Sequence, residues 1–124
     1  MTRPAKPEFD PAAAETLKDL LSQAEAVERL VTRGKAAYSN DEMLRFAGED
    51  LLIRCGEVVA RLARTAPSFI DDNPELKLRN LKDARNVVAH GYDIVDSEIV
   101  WQILSVHIPR VARKVKDFLA EHSR

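Results

Sequence analysis

Apolar residues recur at spacings of three and four through most of this chain, and short breaks rich in proline, glycine and aspartate divide the pattern. Each run reads as one buried stripe on an amphipathic helix. Asp10-Pro11 predicts the first start, an acceptor side chain at the N-cap and proline at the first helical position. Leu17, Leu20, Leu21, Ala24, Val27 and Val31 form its stripe, and Gly34 is the expected C-cap. Ser39-Asn40-Asp41-Glu42 has capping-box spacing and predicts a second long helix. Its inward stripe is Leu44, Ala47, Leu51, Cys55, Val58 and Leu62, fading near Arg64 ahead of Pro67. A loop or short helical turn is expected over 65–73. Asn73-Pro74-Glu75 repeats the cap-then-proline signal and predicts a third helix, with Leu78, Leu81, Ala84 and Val88 inward and Gly91 as its stop. Asp96 caps a fourth, carrying Ile99, Val100, Trp101, Ile103 and Leu104. Pro109 either kinks that helix or divides it from a fifth that carries Val111, Val115, Phe118 and Leu119.

The fold class this predicts is all-α, an up-and-down bundle of four to five helices with short connections between antiparallel neighbours. Residues 1–9, with Pro4 and Pro7, are expected to be a flexible lead-in, and residues 10–124 one helical domain. A chain of 124 residues with 45% apolar and 31% charged positions buries a core and is not globally disordered. The formal net charge of −1 excludes a generally cationic nucleic-acid binder, so any polyanion has to be met by a local patch. A single cysteine excludes an intrachain disulfide, and three scattered histidines argue against a metal site. Cys55 and Trp101 sit among apolar neighbours and read as core residues. No apolar run approaches the roughly 18 residues of a membrane span, and the first residues lack the apolar centre of a signal peptide. The expected location is cytoplasmic.

Usable chemistry concentrates in Arg85-Asn86-Val87-Val88-Ala89-His90-Gly91-Tyr92. On a helix Asn86 and His90 share a face, about 40° apart, whereas Arg85 points roughly 140° from His90. Arg85 can then converge with His90 only through its length, a distorted helix end, or a second subunit. Gly91 can turn the chain and swing Tyr92 back. These residue types suit metal-free cleavage of RNA. A histidine exchanges a proton with the 2′-hydroxyl or the leaving 5′-oxygen, and a guanidinium stabilises charge growing at phosphorus. Lys77, Arg79 and Lys82 make the preceding helix locally basic, a candidate RNA-binding face. The same cluster also suits a purely structural helix end, with histidine bonding the last carbonyls, and a basic run also suits a solvated helix face.

The arrangement Arg85-x-x-x-x-His90-x-Tyr92, with asparagine directly after the arginine, resembles the signature of HEPN-domain toxins of the HepT kind. Leu52-Ile53-Arg54-Cys55-Gly56-Glu57-Val58-Val59 is similar to that family's second-helix segment with its Gly-Glu pair. Val100-Trp101-Gln102-Ile103-Leu104, followed by Ile108-Pro109, is similar to its helix after the motif. Together these segments span roughly residues 12–120. The chain departs from many relatives at Leu76–Ala84, which holds neither the tryptophan nor the glycine common there. Arg79-Asn80 is a second Arg-Asn pair, too far from His90 for the family spacing.

The resemblance implies an all-helical homodimer with a cleft between protomers and metal-independent RNA cleavage. It makes Arg85 and His90 the catalytic pair, Asn86 a site-organising residue and Tyr92 the motif tyrosine. It also implies an MNT-type nucleotidyltransferase antitoxin as partner, which uses ATP to place AMP on that tyrosine and so silences the toxin. The ATP is the partner's, and the toxin itself needs neither metal nor cofactor. The alternative is a non-catalytic HEPN helper that binds nucleotide or RNA for a nucleotidyltransferase. A plainer reading is a helical dimerisation module.

Overall fold

The computed structural model describes residues 10–89 and 95–122. Among them no strand occurs, and the fold is all-α. Helix α1 (Pro11–Thr32) opens where Asp10 accepts a hydrogen bond from the Ala12 N–H at 2.9 Å. Gly34, with φ 92°, ends it in the left-handed region that glycine enters without strain. The same glycine starts a short helix α2 (Lys35–Asn40), where the sequence pattern predicts only a connection. Ser39 lies inside α2, and the cap of helix α3 (Glu42–Thr65) is Asp41, which accepts from Met43 N at 2.9 Å and Leu44 N at 3.4 Å. The capping-box register centred on Ser39 is therefore corrected by two residues.

Helix α3 is the hub, in contact with α1, α2 and the later elements. Its buried face is Gly48, Leu52, Cys55, Gly56, Val59, Ala60 and Leu62. Of the predicted stripe, Cys55 and Leu62 lie on this face, whereas Leu44, Leu51 and Val58 are half-buried at its side and Ala47 is exposed. Small residues account for the offset. Gly48 is covered by Tyr38 of α2 and by Leu104, so closely that a Cβ there would lie 2.9 and 2.8 Å from them. Tyr38 in turn packs on Trp101, with ring centroids 5.0 Å apart. Trp101 and Cys55 are core residues, as expected.

Helix α4 (Pro67–Asp72) fills the region expected to be a loop or turn. The single third helix predicted from Asn73 onward is in fact several pieces. A 3-10 turn (Pro74–Leu76) ends at Lys77, whose φ of 61° places a lysine in the left-handed region, and α5 (Leu78–Ala84) follows. Asn73 does not cap; its amide Nδ2 donates to the Phe69 carbonyl at 2.9 Å. After Arg85 comes α6 (Asn86–Ala89). Leu78 and Leu81 are buried, and Ala84 and Val88 are half-buried.

Asp96 caps α7 (Ser97–Gln102), accepting from Glu98 N at 3.0 Å and Ile99 N at 3.3 Å. A π-turn (Ile103–His107) joins α7 to α8 (Ile108–His122) without a break. Pro109 lacks an N–H and its ring crowds the carbonyl four residues earlier. The wider π-turn just before it relieves that crowding, so the chain continues instead of dividing. Val100, Leu104, Ile108, Val111 and Val115 are buried in the core; α7 and the π-turn contact α3, and α8 contacts α1. Residues 1–9, His90, Gly91, Tyr92 and Asp93 lie outside the described residues, and so do the calls made on them.

Candidate functional site

Arg85 sits at the junction of α5 and α6, where the helical hydrogen-bond ladder is interrupted although its dihedrals stay helical (φ −58°, ψ −27°). Val88 N donates to the Arg85 carbonyl at 3.1 Å and restarts the turn. The roughly 140° between Arg85 and His90 rests on a uniform helix through residues 85–90; the interruption lies at the first of these residues, and His90 lies outside the described residues.

Two consecutive residues of α3 hold the arginine. Gly56 leaves no room for a Cβ, which would stand 2.6 Å from the Arg85 Cβ. Glycine is what lets the junction lie directly on α3. One residue on, Glu57 Oε1 accepts a hydrogen bond from Arg85 Nη1 at 2.8 Å. The arginine side chain is 26% exposed and the glutamate 57%. Such a pair adds little to global stability, yet it tethers one end of the guanidinium to α3. A guanidinium has five N–H donors in a fork, so a carboxylate on one edge leaves others available to a phosphoryl group.

Asn86 is exposed at the first position of α6, beside Arg85. His90 and Tyr92, the other predicted site residues, lie outside the described residues. The three predicted RNA-binding side chains do not form one uniform basic face. Arg79 is ion-paired with Asp71, and Lys82 lines a cleft with Arg79, Asp71 and Asp83. Lys77, at the left-handed turn, also lines a separate cavity with His107 and α8. Cys55 is no nucleophile, because burial pushes its thiol up to about 12. Among the described residues no group of three or more histidine, cysteine, aspartate or glutamate side chains could hold a metal ion. Among them, too, no helix is long and apolar enough to cross a membrane.

Glu57 is the site residue that the sequence left without a role. Its signal was present as half of the Gly56-Glu57 pair. No local spacing connects position 57 to position 85, and only the packing of α5 and α6 on α3 does so.

A family model described as "Ribonuclease HepT-like" matches residues 20–118. That stretch includes Gly56, Glu57, Arg85 and the whole segment to Tyr92. The chain is similar to a protein of Methanocaldococcus jannaschii named "Putative RNase MJ1380", with 24% identity over 80 residues, 64% of this chain and 70% of the relative. No solved structure matches. With the match running through most of the bundle and both halves of the Arg85 seat, the chain belongs to the HepT-like ribonuclease family.

Proposed function

We propose that this protein is a metal-independent RNA endonuclease, the toxin of a toxin–antitoxin pair. The observation that carries the reading is the Arg85 guanidinium, seated on Gly56 and oriented by Glu57 at 2.8 Å, within a ribonuclease family match. In the reaction the 2′-hydroxyl attacks phosphorus and gives its proton to a base, and the bond from phosphorus to the 5′-oxygen breaks. The products are a 2′,3′-cyclic phosphate and a 5′-hydroxyl. His90 transfers protons and Arg85 meets the charge that grows on the phosphoryl oxygens. Asn86 orients the imidazole or the phosphate. One histidine per chain supplies one acid or base, so the reading includes a homodimer whose two copies face a shared cleft.

Regulation follows from the same site. An MNT-type nucleotidyltransferase antitoxin, using ATP, places AMP on Tyr92. The added anion fills the cleft and repels the RNA phosphate from Arg85.

The test compares wild type with His90→Ala and Arg85→Ala, first for growth arrest and then with purified proteins on RNA in the presence of a chelator. Cleavage by wild type alone, unaffected by chelator and ending in cyclic phosphate, is the expected outcome. Equal RNA survival with all three proteins refutes catalysis and leaves the binding-helper reading. Cleavage lost to chelator refutes the metal-free mechanism. Mass spectrometry after incubation with the cognate transferase and ATP is expected to place AMP on Tyr92.

A further inference from the structure

A second cationic site lies at the other end of α5. Lys77, Asn80, His107, Arg110 and Lys114 line a cavity of about 240 Å³ between the left-handed turn and α8. No carboxylate lines it, and among the described residues none is ion-paired with Lys77, Arg110 or Lys114. Lys114 Nζ donates to the Glu75 carbonyl at 3.0 Å, which holds one cation at the rim and leaves two of its donors. The opposite flank of α8 is built differently. There Arg113 and Lys116 share their cleft with Glu25 and Glu28 of α1. In a chain of net charge −1, three cations gathered without a counter-charge are a local exception.

The backbone around the cavity is also unusual. Lys77 holds φ 61° with a full side chain, a left-handed conformation that residues with a Cβ rarely adopt. His107 closes the π-turn, a feature that recurs at functional sites. His107 Nε2 is closed off from solvent and has no hydrogen-bond partner among the described residues. Burial first, and then the neighbouring Arg110, hold its pKa below the ordinary histidine range, so it is neutral at neutral pH and can accept or donate. The cavity is below the roughly 300 Å³ at which pockets begin to enclose drug-sized ligands. Its size and lining fit one phosphate group better than a whole nucleotide.

We propose that this cavity binds a backbone phosphate of the RNA strand, away from the phosphate that is cut. The assignment to RNA rests on the ribonuclease reading; the anion site itself rests on the cavity alone. Lys77 and Arg85 are eight residues apart, roughly 12 Å along a helix, so a strand of a few nucleotides reaches both ends of α5. The second contact sets which stretch of RNA crosses Arg85.

The experiment measures binding of a fluorescent single-stranded RNA to His90→Ala protein, which leaves the RNA intact, across a salt series. Arg110 is exposed and makes no ion pair among the described residues, so Arg110→Gln is expected to fold as wild type does, checked by circular dichroism. Arg110→Gln in this background is expected to weaken binding about five- to tenfold and to reduce the slope of log K against log salt by about one. Arg113→Gln, the same charge change on the other flank, is expected to leave both within about twofold. NMR of the His107 ring, titrated with RNA and separately with inorganic phosphate, locates the anion. Equal losses in the two variants, no loss in either, or no RNA binding at all overturns the proposal. A His107 response to inorganic phosphate but not to RNA overturns the RNA assignment. Pocket-dependent binding by a protein whose His90-intact form never cuts RNA refutes the ribonuclease reading and leaves this site standing.

Discussion

Gly56→Ala separates positioning of Arg85 from stability of the bundle. The new Cβ would lie 2.6 Å from the Arg85 Cβ, 3.0 Å from Cδ and 3.1 Å from Cγ. Carbon atoms pack best at about 3.5–4.0 Å, so the first pair has to part by about 1 Å. Rotating the arginine side chain moves Cγ and Cδ but not Cβ. The α5–α6 junction itself must lift from α3. Overpacking of this kind costs about 1–3 kcal/mol, and the better helix propensity of alanine offsets about 1 kcal/mol of it. The net loss in stability is therefore about 0–2 kcal/mol, measurable as a modest fall in the urea midpoint. A displacement of about 1 Å at a reacting group, in contrast, costs on the order of 100-fold in rate. Gly56→Ala is expected to remain folded and to cleave RNA about 100-fold more slowly, with most of the loss in kcat. Wild-type cleavage together with a gain of about 1 kcal/mol in stability would refute the close seat. So would outright unfolding, since the stated energies do not allow it.

Further outcomes follow from the same geometry. Glu57→Gln keeps an acceptor but removes the charge that holds Arg85 at 2.8 Å; RNA cleavage is expected to fall about tenfold with stability changed by less than about 1 kcal/mol, in line with an exposed pair. Full activity would show that Glu57 does not position the arginine. Tyr38→Phe removes a buried hydroxyl that has no hydrogen-bond partner among the described residues, so thermal unfolding is expected to be unchanged or later, because that group's desolvation penalty of about 1–3 kcal/mol disappears. A clear fall in midpoint would reveal a partner for the hydroxyl. Burial raises the Cys55 thiol to about 12 in the folded chain, against about 9 when it is free. A raised pKa means that the folded chain prefers the protonated thiol, so its contribution to stability is complete below pH 9 and is lost as the pH rises toward 12. Denaturation at a series of alkaline pH values is expected to show a slope of about 1.4 kcal/mol per pH unit from this group. Cys55→Ala is expected to remove that part of the slope, and an unchanged slope would refute the burial argument.

How much of this was legible in the sequence depends on how local each signal is. The caps at Asp10 and Asp96 were legible because a short acceptor side chain before a helical run has one strong use. Ser39 and Asp41 are both acceptors, and only the presence of α2 decides between them. Helix α2 was missed because six residues are too few to establish a period. The face of α3 was legible only in part, at Cys55 and Leu62, because Gly48 and Gly56 carry no hydropathy signal, yet both are buried by what packs on them. Lys77 was illegible for another reason: a lysine gives no hint of positive φ, and the conformation is imposed by the turn between two packed segments. At the site, the identity of Arg85 was legible from its motif, but its partner was not. Glu57 stands 28 residues earlier, and the connection exists only in three dimensions.

That connection changes what the motif means physically. A spacing of five residues from arginine to histidine leaves the arginine's orientation open. The orientation comes from α3, through a glycine that sets the approach and a carboxylate that occupies one edge of the guanidinium. With one edge held, the remaining donors face a defined direction, and a phosphate arriving there meets a preorganised cation with little reorientation left to undergo. A lysine in the same seat would keep two N–H donors after bonding Glu57, but its freely rotating ammonium could not present them in a fixed planar fork. Gly56 and Glu57 therefore form the seat of Arg85, and the packing of α5 and α6 on α3 holds the two against each other.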